Sequence, residues 1–308
     1  MAIRGSARAG GFRAVNTVEP GWSVWPAPAK LNLCLRIVGR RDDGYHLLQT
    51  VFRLLEWGDA VQLQVRADGR IVRAQGPAGV PEHDDLAVRA ARLLQRESGC
   101  TLGAAIRIDK RIPLGGGLGG GSSDAATVLR ALDALWRLGL GEERLAALGL
   151  ALGADVPVFV RGRNAVAEGV GEKLTPAPLP PAWYVIVHPG ACVPTAALFQ
   201  AAELTRDAAP ETITHLLSGA VRGNAFEPIV RARHPQVAAA LDWLGGFGAA
   251  HLSGSGACVF REVRDRDAAA RIAGACPPPW TAWIARGAAR SPLLDALESF
   301  QRWGVAKW

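Results

Sequence analysis

The chain has 308 residues, room for two domains or one large one with an ample core. Its hydrophobic fraction of 49% and charged fraction of 20% are those of a globular chain and exclude a disordered or fibrous one. The net charge of +7 favours anionic partners, but the arginines are scattered with no long basic run, which argues against a nucleic-acid binder.

Residues 1–18 contain Arg4, Arg8 and Arg13 and no acid. Transit peptides share that composition, but so do disordered extensions, and the latter reading is preferred for residues 1–22. Leu31, Leu33, Leu35 and Ile37 alternate, as in a half-buried strand. Lys30, Asn32 and Cys34 then share its other face. Lys30 and Asn32 present an ammonium and an amide together there, although alternation alone reads them as a solvated face. Arg41-Asp42-Asp43-Gly44 is a turn. Tyr45 and His46 follow it, a pair that either binds a flat ring or simply packs. Residues 61–65 alternate as a strand, Asp68-Gly69 turns, and Ile71-Val72 starts the return. Leu86, Ala90, Leu93 and Leu94 mark a helix over residues 84–97, and Ile106 and Ile108 a strand over 104–109.

The next stretch organises the rest. Residues 113–123 read Pro-Leu-Gly-Gly-Gly-Leu-Gly-Gly-Gly-Ser-Ser. A helix follows, with Val128, Leu132, Leu135 and Trp136 at helical spacing and Gly139 as its stop. Glycine lets the backbone approach a ligand and turn its N–H groups inward. A helix start aims further N–H groups and a positive dipole end at the same point. Strand, glycine loop and helix together suit a phosphate. A Walker loop would need a lysine before Ser122, and none is there. A dinucleotide fingerprint fits Gly115, Gly117 and Gly120, but Glu142 and Glu143 open a helix instead of ending a second strand. A flexible linker would lack the adjoining strand and amphipathic helix.

The helix over residues 142–152 stops at Gly153. Asp155 lies just beyond it, two residues before Pro157. It either caps the next short helix or offers a partly desolvated carboxylate able to take a proton. Residues 164–168 and 172–174 form a hairpin, and the proline-rich stretch 175–181 reads as a stiff linker between domains. The longest run free of Asp, Glu, Lys and Arg, residues 174–202, carries six prolines and is not a membrane helix. Residues 183–188 are a strand, and 194–202 a helical start with Thr195 and Phe199. Helices follow near 211–218 and 235–244. Residues 251–260 read as strand, glycine turn, strand. The five cysteines have no CxxC spacing, which fits a reducing compartment and neither a disulfide framework nor structural zinc. Both halves mix β and α units, so the fold class is α+β.

Three segments taken together resemble the GHMP kinase superfamily: residues 28–33 (Pro-Ala-Lys-Leu-Asn-Leu), 113–126, and 252–257 (Leu-Ser-Gly-Ser-Gly-Ala). Residues 43–46, 152–157 and 168–172 support the likeness, which spans about residues 25–292. It is nearest to the branch that phosphorylates the 2-hydroxyl of a cytidylated methylerythritol for isoprenoid precursors. One departure is Asn224-Ala225, where that branch often has Asn-Asp.

The resemblance implies a ribosomal-protein-S5-like ATP-binding lobe over residues 23–174. It implies a ferredoxin-like substrate-binding lobe over 182–308, with the active site between the two. It implies ATP and Mg²⁺ as cofactors, a small-molecule partner and a cytoplasmic enzyme; another small-molecule kinase, or a non-catalytic protein of the same fold, is the alternative. Lys30 and Asp155 match the catalytic pair. The ATP-binding stretch is Pro113, Leu114, Gly115, Gly116, Gly117, Leu118, Gly119, Gly120, Gly121, Ser122 and Ser123, one serine being the contact to Mg²⁺. On the substrate side stand Asn32, Tyr45, His46, Val170, Thr195 and Phe199. Tyr45 and Phe199 are expected to sandwich the cytosine once the lobes close, with His46 on the base edge.

Overall fold

The protein is described from a computed structural model covering residues 8–9 and 19–303. Most of the expected extension, residues 1–7 and 10–18, lies outside the described residues. Arg8–Ala9 form β1, paired parallel to a strand of the second lobe.

The first lobe is built on two long strands, β2 (Ser23–Arg40) and β3 (His46–Arg66), antiparallel along most of their length. The sequence suggested only residues 31–37 for the first of these. Both faces of β2 are covered along much of its length, so alternation under-reads it. Its register shifts between Pro28 and Lys30 and again between Asn32 and Leu35. Such bulges re-aim side chains, and Lys30 and Asn32 stand between the two. β4 (Ile71–Gln75), β5 (Gly103–Asp109), β6 (Ala165–Glu168) and β7 (Lys173–Pro176) complete the sheet in the order β4-β5-β3-β6-β7, with β2 on β3.

Helices α1 (Leu86–Ser98), α2 (Gly120–Leu135), α3 (Gly141–Leu150) and α4 (Val156–Arg161) bury their apolar sides against this sheet. Leu94, Leu129, Leu132 and Phe159 meet Leu63 and Ile106 there. Asp85 caps α1 by accepting from the Ala87 N–H, and Gly99 ends it in the left-handed region.

The second lobe carries β8 (Trp183–His188), β9 (His251–Leu252), β10 (Val259–Val263) and β11 (Thr281–Arg286), ordered β1-β11-β8-β10-β9. Its helices are α5 (Thr195–Phe199), α6 (Ile213–Leu217), α7 (Glu227–Arg233), α8 (Pro235–Gly245) and α9 (Arg266–Gly274). One sheet face, with Val185, Val187 and Val259, packs on Val230, Leu241, Leu244 and Ile272 of α7 to α9. The other face presents Tyr184, Ile186, Phe260 and Trp283 to Leu31, Leu55, Trp57 and Ile112 of the first lobe. The two lobes therefore share an apolar seam.

Three local expectations differ from the fold. The helical start at 194–202 is the single short turn α5, within which only Leu198 is buried, and one contact does not sustain a longer helix. The stretch 175–181 is not a free linker: Ala177 is buried and the Arg53 guanidinium donates to the carbonyls of Leu179 and Pro180. The last helix, α10 (Pro292–Trp303), leaves the second lobe and puts Leu293, Leu294 and Leu297 into the core of the first. Among the described residues no helix is long and apolar enough to cross a membrane.

Candidate active site

The glycine loop runs from the end of β5 to the start of α2. Gly115, Gly117 and Gly119 all have positive φ. Gly117 has no alternative residue, because a Cβ there would stand 2.0 Å from the Ser253 carbonyl oxygen. The loop's carbonyls are held from outside. Gly115 and Gly116 accept from the N–H groups of Ala257 and Cys258, and Leu118 from the N–H of Lys30. Gly117 accepts from Ser253 Oγ and Lys30 Nζ, each at 3.0 Å. The first turn of α2, Gly120 to Ser122, keeps its N–H groups outside the helix ladder. Those groups face a cleft of about 590 Å³ between the lobes.

Lys30 is buried beneath the loop. Its ammonium donates to Asn32 Oδ1 at 2.5 Å and to the Gly117 carbonyl, and lies 3.3 Å from Asp155 Oδ2. Asn32 is itself fixed: its Nδ2 donates to Thr50 Oγ1 at 2.8 Å, and Thr50 donates to the Cys34 carbonyl. Asp155 stands immediately before α4, yet its side chain makes no capping hydrogen bond. It turns to Lys30 instead, about one-third exposed to the cleft. The arrangement puts an ion-paired carboxylate and an anion-binding loop around one space, which suits transfer of a phosphoryl group to a hydroxyl.

Of the residues expected from sequence, Lys30, Asn32, Asp155, Val170, Thr195, Phe199 and every residue from Pro113 to Ser122 line the cleft. Ser123 does not; it is buried in α2, its Oγ without a hydrogen-bond partner. Tyr45 and His46 do not line it either. The turn is closed by the Arg41 N–H on the Tyr45 carbonyl and the Tyr45 N–H on Asp43 Oδ1, which leaves the tyrosine ring pointing out, 64% exposed. His46, the first residue of β3, takes the inward position. It stacks on Phe199 with ring centroids 4.9 Å apart and planes at 29°. Without a base between the lobes Phe199 stacks with His46, and no ring contact joins it to Tyr45 among the described residues.

Several supporting residues escaped the sequence reading. Lys110, just before the loop, donates to Asp59 Oδ2 at 2.6 Å and to Asp124 Oδ2 at 2.7 Å. Asp59 also accepts from the N–H groups of Arg111 and Ile112, so one buried carboxylate fixes the approach to the loop. Burial pushes Asp124 up to about 7 despite the lysine. Asn224 donates to the carbonyls of Leu252 and Gly254 and accepts from the Phe226 N–H, so it supports the third glycine segment. The departure at Ala225 leaves those bonds intact. Thr195 and Ser255 share a hydroxyl hydrogen bond of 2.6 Å at the cleft's rim. No local period marks their contacts, whose partners lie on other elements.

Two family models match the chain: the GHMP kinases N terminal domain over residues 85–163 and the GHMP kinases C terminal over residues 206–278. A curated relative from Xanthomonas campestris pv. campestris, called 4-diphosphocytidyl-2-C-methyl-D-erythritol kinase, is 61% identical over 92% of this chain and 96% of its own length. One of the same name from Aromatoleum aromaticum is 57% identical over 87% and 94%. A crystal structure of 4-(cytidine 5'-diphospho)-2C-methyl-D-erythritol kinase superposes with a TM-score of 0.73 at 38% identity, covering 87% of this chain and 99% of that one. Methanococcus jannaschii mevalonate kinase shares the fold, with a TM-score of 0.60 at 14% identity over 87% and 98%. The chain belongs to the 4-diphosphocytidyl-2-C-methyl-D-erythritol kinase family of the GHMP kinases.

Proposed function

We propose that this enzyme transfers the γ-phosphoryl group of ATP to the 2-hydroxyl of 4-diphosphocytidyl-2-C-methyl-D-erythritol, with Asp155 and Lys30 as its catalytic residues. The observation that carries the reading is the 3.3 Å contact between Lys30 Nζ and Asp155 Oδ2, beneath the glycine loop and facing the cleft. Asp155 accepts the proton of the substrate hydroxyl. The oxygen attacks the γ-phosphorus, the bond from that phosphorus to the β–γ bridging oxygen breaks, and ADP leaves. Lys30 keeps the carboxylate ionised and stabilises charge on the attacking oxygen or the phosphoryl group in flight. The amides of Gly115 to Ser122 bind the β- and γ-phosphates without a Walker lysine.

Mg²⁺ belongs to this reading. Among the described residues no three His, Cys, Asp or Glu side chains gather into a metal cage. The cleft-facing Ser122 hydroxyl would suit a cation that arrives with the nucleotide and takes only one or two ligands from protein, whereas Ser123 Oγ is buried away from the cleft. The chemistry it would supply there is neutralisation of phosphate charge. In this reading the cytidylyl group lies between His46 and Val170 of the first lobe and Thr195 and Phe199 of the second. Five free thiols fit a reducing, cytoplasmic setting.

The test is ADP formation by the purified protein against a panel of alcohols: the cytidylated methylerythritol, mevalonate, homoserine and galactose. Turnover of the cytidylated alcohol alone is expected. Preferential turnover of another member would replace the substrate, and ADP formation with none would reject the enzyme.

A further inference from the structure

A second cavity, of about 1050 Å³, lies in the first lobe and shares no lining residue with the cleft. It sits between the end of α2, the helix α10 and the β2–β3 pair. The glycine loop is at the other end of α2, about 24 Å away along the helix. The cavity wall is largely apolar, with Trp22, Leu63, Leu135, Trp136, Leu297 and Phe300. Arg130 and Arg137 stand among them, and neither makes an ion pair or a side-chain hydrogen bond with another described residue. Arg130 Nε is buried without an acceptor, and so is the indole Nε1 of Trp136, a residue only 6% exposed. Buried N–H groups of this kind normally find a partner. The one acid among the described residues of the wall, Asp133, is engaged: its Oδ1 accepts from the Leu140 N–H.

Arg137 also holds a costly backbone. It follows the C-cap Trp136, and its φ of 57° makes it the one non-glycine residue described in the left-handed region. The Leu138 N–H returns to the Asp133 carbonyl at 2.9 Å, closing a helix stop that glycine ordinarily serves. Glycine there would end α2 with less strain, but it would take a guanidinium away from the cavity.

We propose that this cavity is a binding site for a small amphipathic anion. An apolar body lies against the tryptophans and Phe300, and one oxyanion head, phosphate or carboxylate in type, accepts from Arg130 and Arg137. Charge selects that class: two unpaired cations face one engaged carboxylate, so a cationic ligand is repelled. A neutral apolar ligand would leave the orphan donors without acceptors, which is unfavourable once water is displaced. The volume lies at the upper end of what organic ligands fill.

The probe is the dye anilinonaphthalene sulfonate, an aromatic body with one oxyanion, titrated into the full chain by fluorescence with and without saturating ATP. Its neutral counterpart phenylnaphthylamine lacks only the sulfonate. The sulfonate dye should bind whether or not ATP is present, and at least about tenfold more tightly than the neutral dye, because its head takes hydrogen bonds from charged donors. Arg137→Gly should weaken the sulfonate dye by about tenfold and leave the neutral dye's affinity as it was. The same variant should hold or raise Tm, because glycine suits the left-handed position, so lost binding cannot be lost folding. Arg130→Gln should weaken the sulfonate dye in the same direction without weakening ATP. Equal affinity for the two dyes, or a sulfonate affinity untouched in Arg137→Gly, overturns the proposal. Loss of dye binding on adding ATP also overturns it, by putting the dye in the cleft. So does binding seen only after residues 304–308 are removed, which would make that segment the occupant.

Discussion

Replacing Gly117 by alanine would put a methyl group into space already filled. The added Cβ would lie 2.0 Å from the Ser253 carbonyl oxygen and 3.0 Å from the backbone nitrogen and oxygen of Gly256. All three are backbone atoms, so no side chain can swing away. The loop has to move by about 1 Å or more, and φ of +71° is itself unfavourable for alanine. Left-handed strain costs about 1 kcal/mol, and overpacking adds about 1–3 kcal/mol. A loss of roughly 2–4 kcal/mol in stability follows from the two. The effect on rate is larger, because misplacement of about 1 Å in a positioned group costs on the order of a hundredfold.

The assay is initial rate against ATP concentration, alongside thermal unfolding. Gly117→Ala should lower kcat/KM for ATP by roughly a hundredfold and lower Tm. Gly121 in the same run of glycines gives the contrast in stability. Its Cβ would meet only Leu86 Cδ1, at 3.5 Å, and it sits in the first turn of α2 with ordinary φ. Gly121→Ala should leave Tm unchanged or raise it, since alanine in a helix is favoured over glycine by about 0.5–1 kcal/mol. A Gly117→Ala protein with wild-type kinetics and Tm would refute the claim that the third glycine segment seats against the loop.

Two further perturbations bear on other parts of the account. Lys30→Met removes the ammonium shared by Asp155, Asn32 and Gly117 and should cost at least about a hundredfold in kcat; combined with Asp155→Asn it should be little worse than either alone, measured as a double-mutant cycle, because the two act as a unit. Trp283→Ala opens the seam against Trp57 and should cost about 3–5 kcal/mol in denaturant titrations, with both lobes unfolding in one transition if the seam couples them.

The parts of the site legible in sequence are those whose signal is local. The glycine loop declares itself because strand, glycines and helix follow one another within some thirty residues. Lys30 and Asn32 fall on one strand face by alternation, but that face looked solvated until a second lobe covered it. Asp155 is the instructive case. Its position reads as a helix cap, and its partner is 125 residues away in sequence, so only folding distinguishes the cap from an ion pair. The roles of Asp59 and Asn224 were hidden for the same reason, their partners lying on other elements. The return of α10 to the first lobe was equally hidden, since an amphipathic helix records that it has a buried face and not which sheet receives it.

The central claim is that Asp155 takes the proton, and its isosteric amide tests that most directly. Asn serves as a helix cap about as well as Asp, so a structural role would survive Asp155→Asn almost untouched. A general base is worth about 10²–10⁴-fold. The measurement is kcat of Asp155→Asn with saturating ATP and cytidylated methylerythritol, with Tm and nucleotide affinity determined on the same preparation. The account predicts a fall of at least about a hundredfold in kcat with folding and ATP binding intact. A kcat within a few-fold of wild type would contradict it and leave Asp155 as a partner that merely holds Lys30 in place.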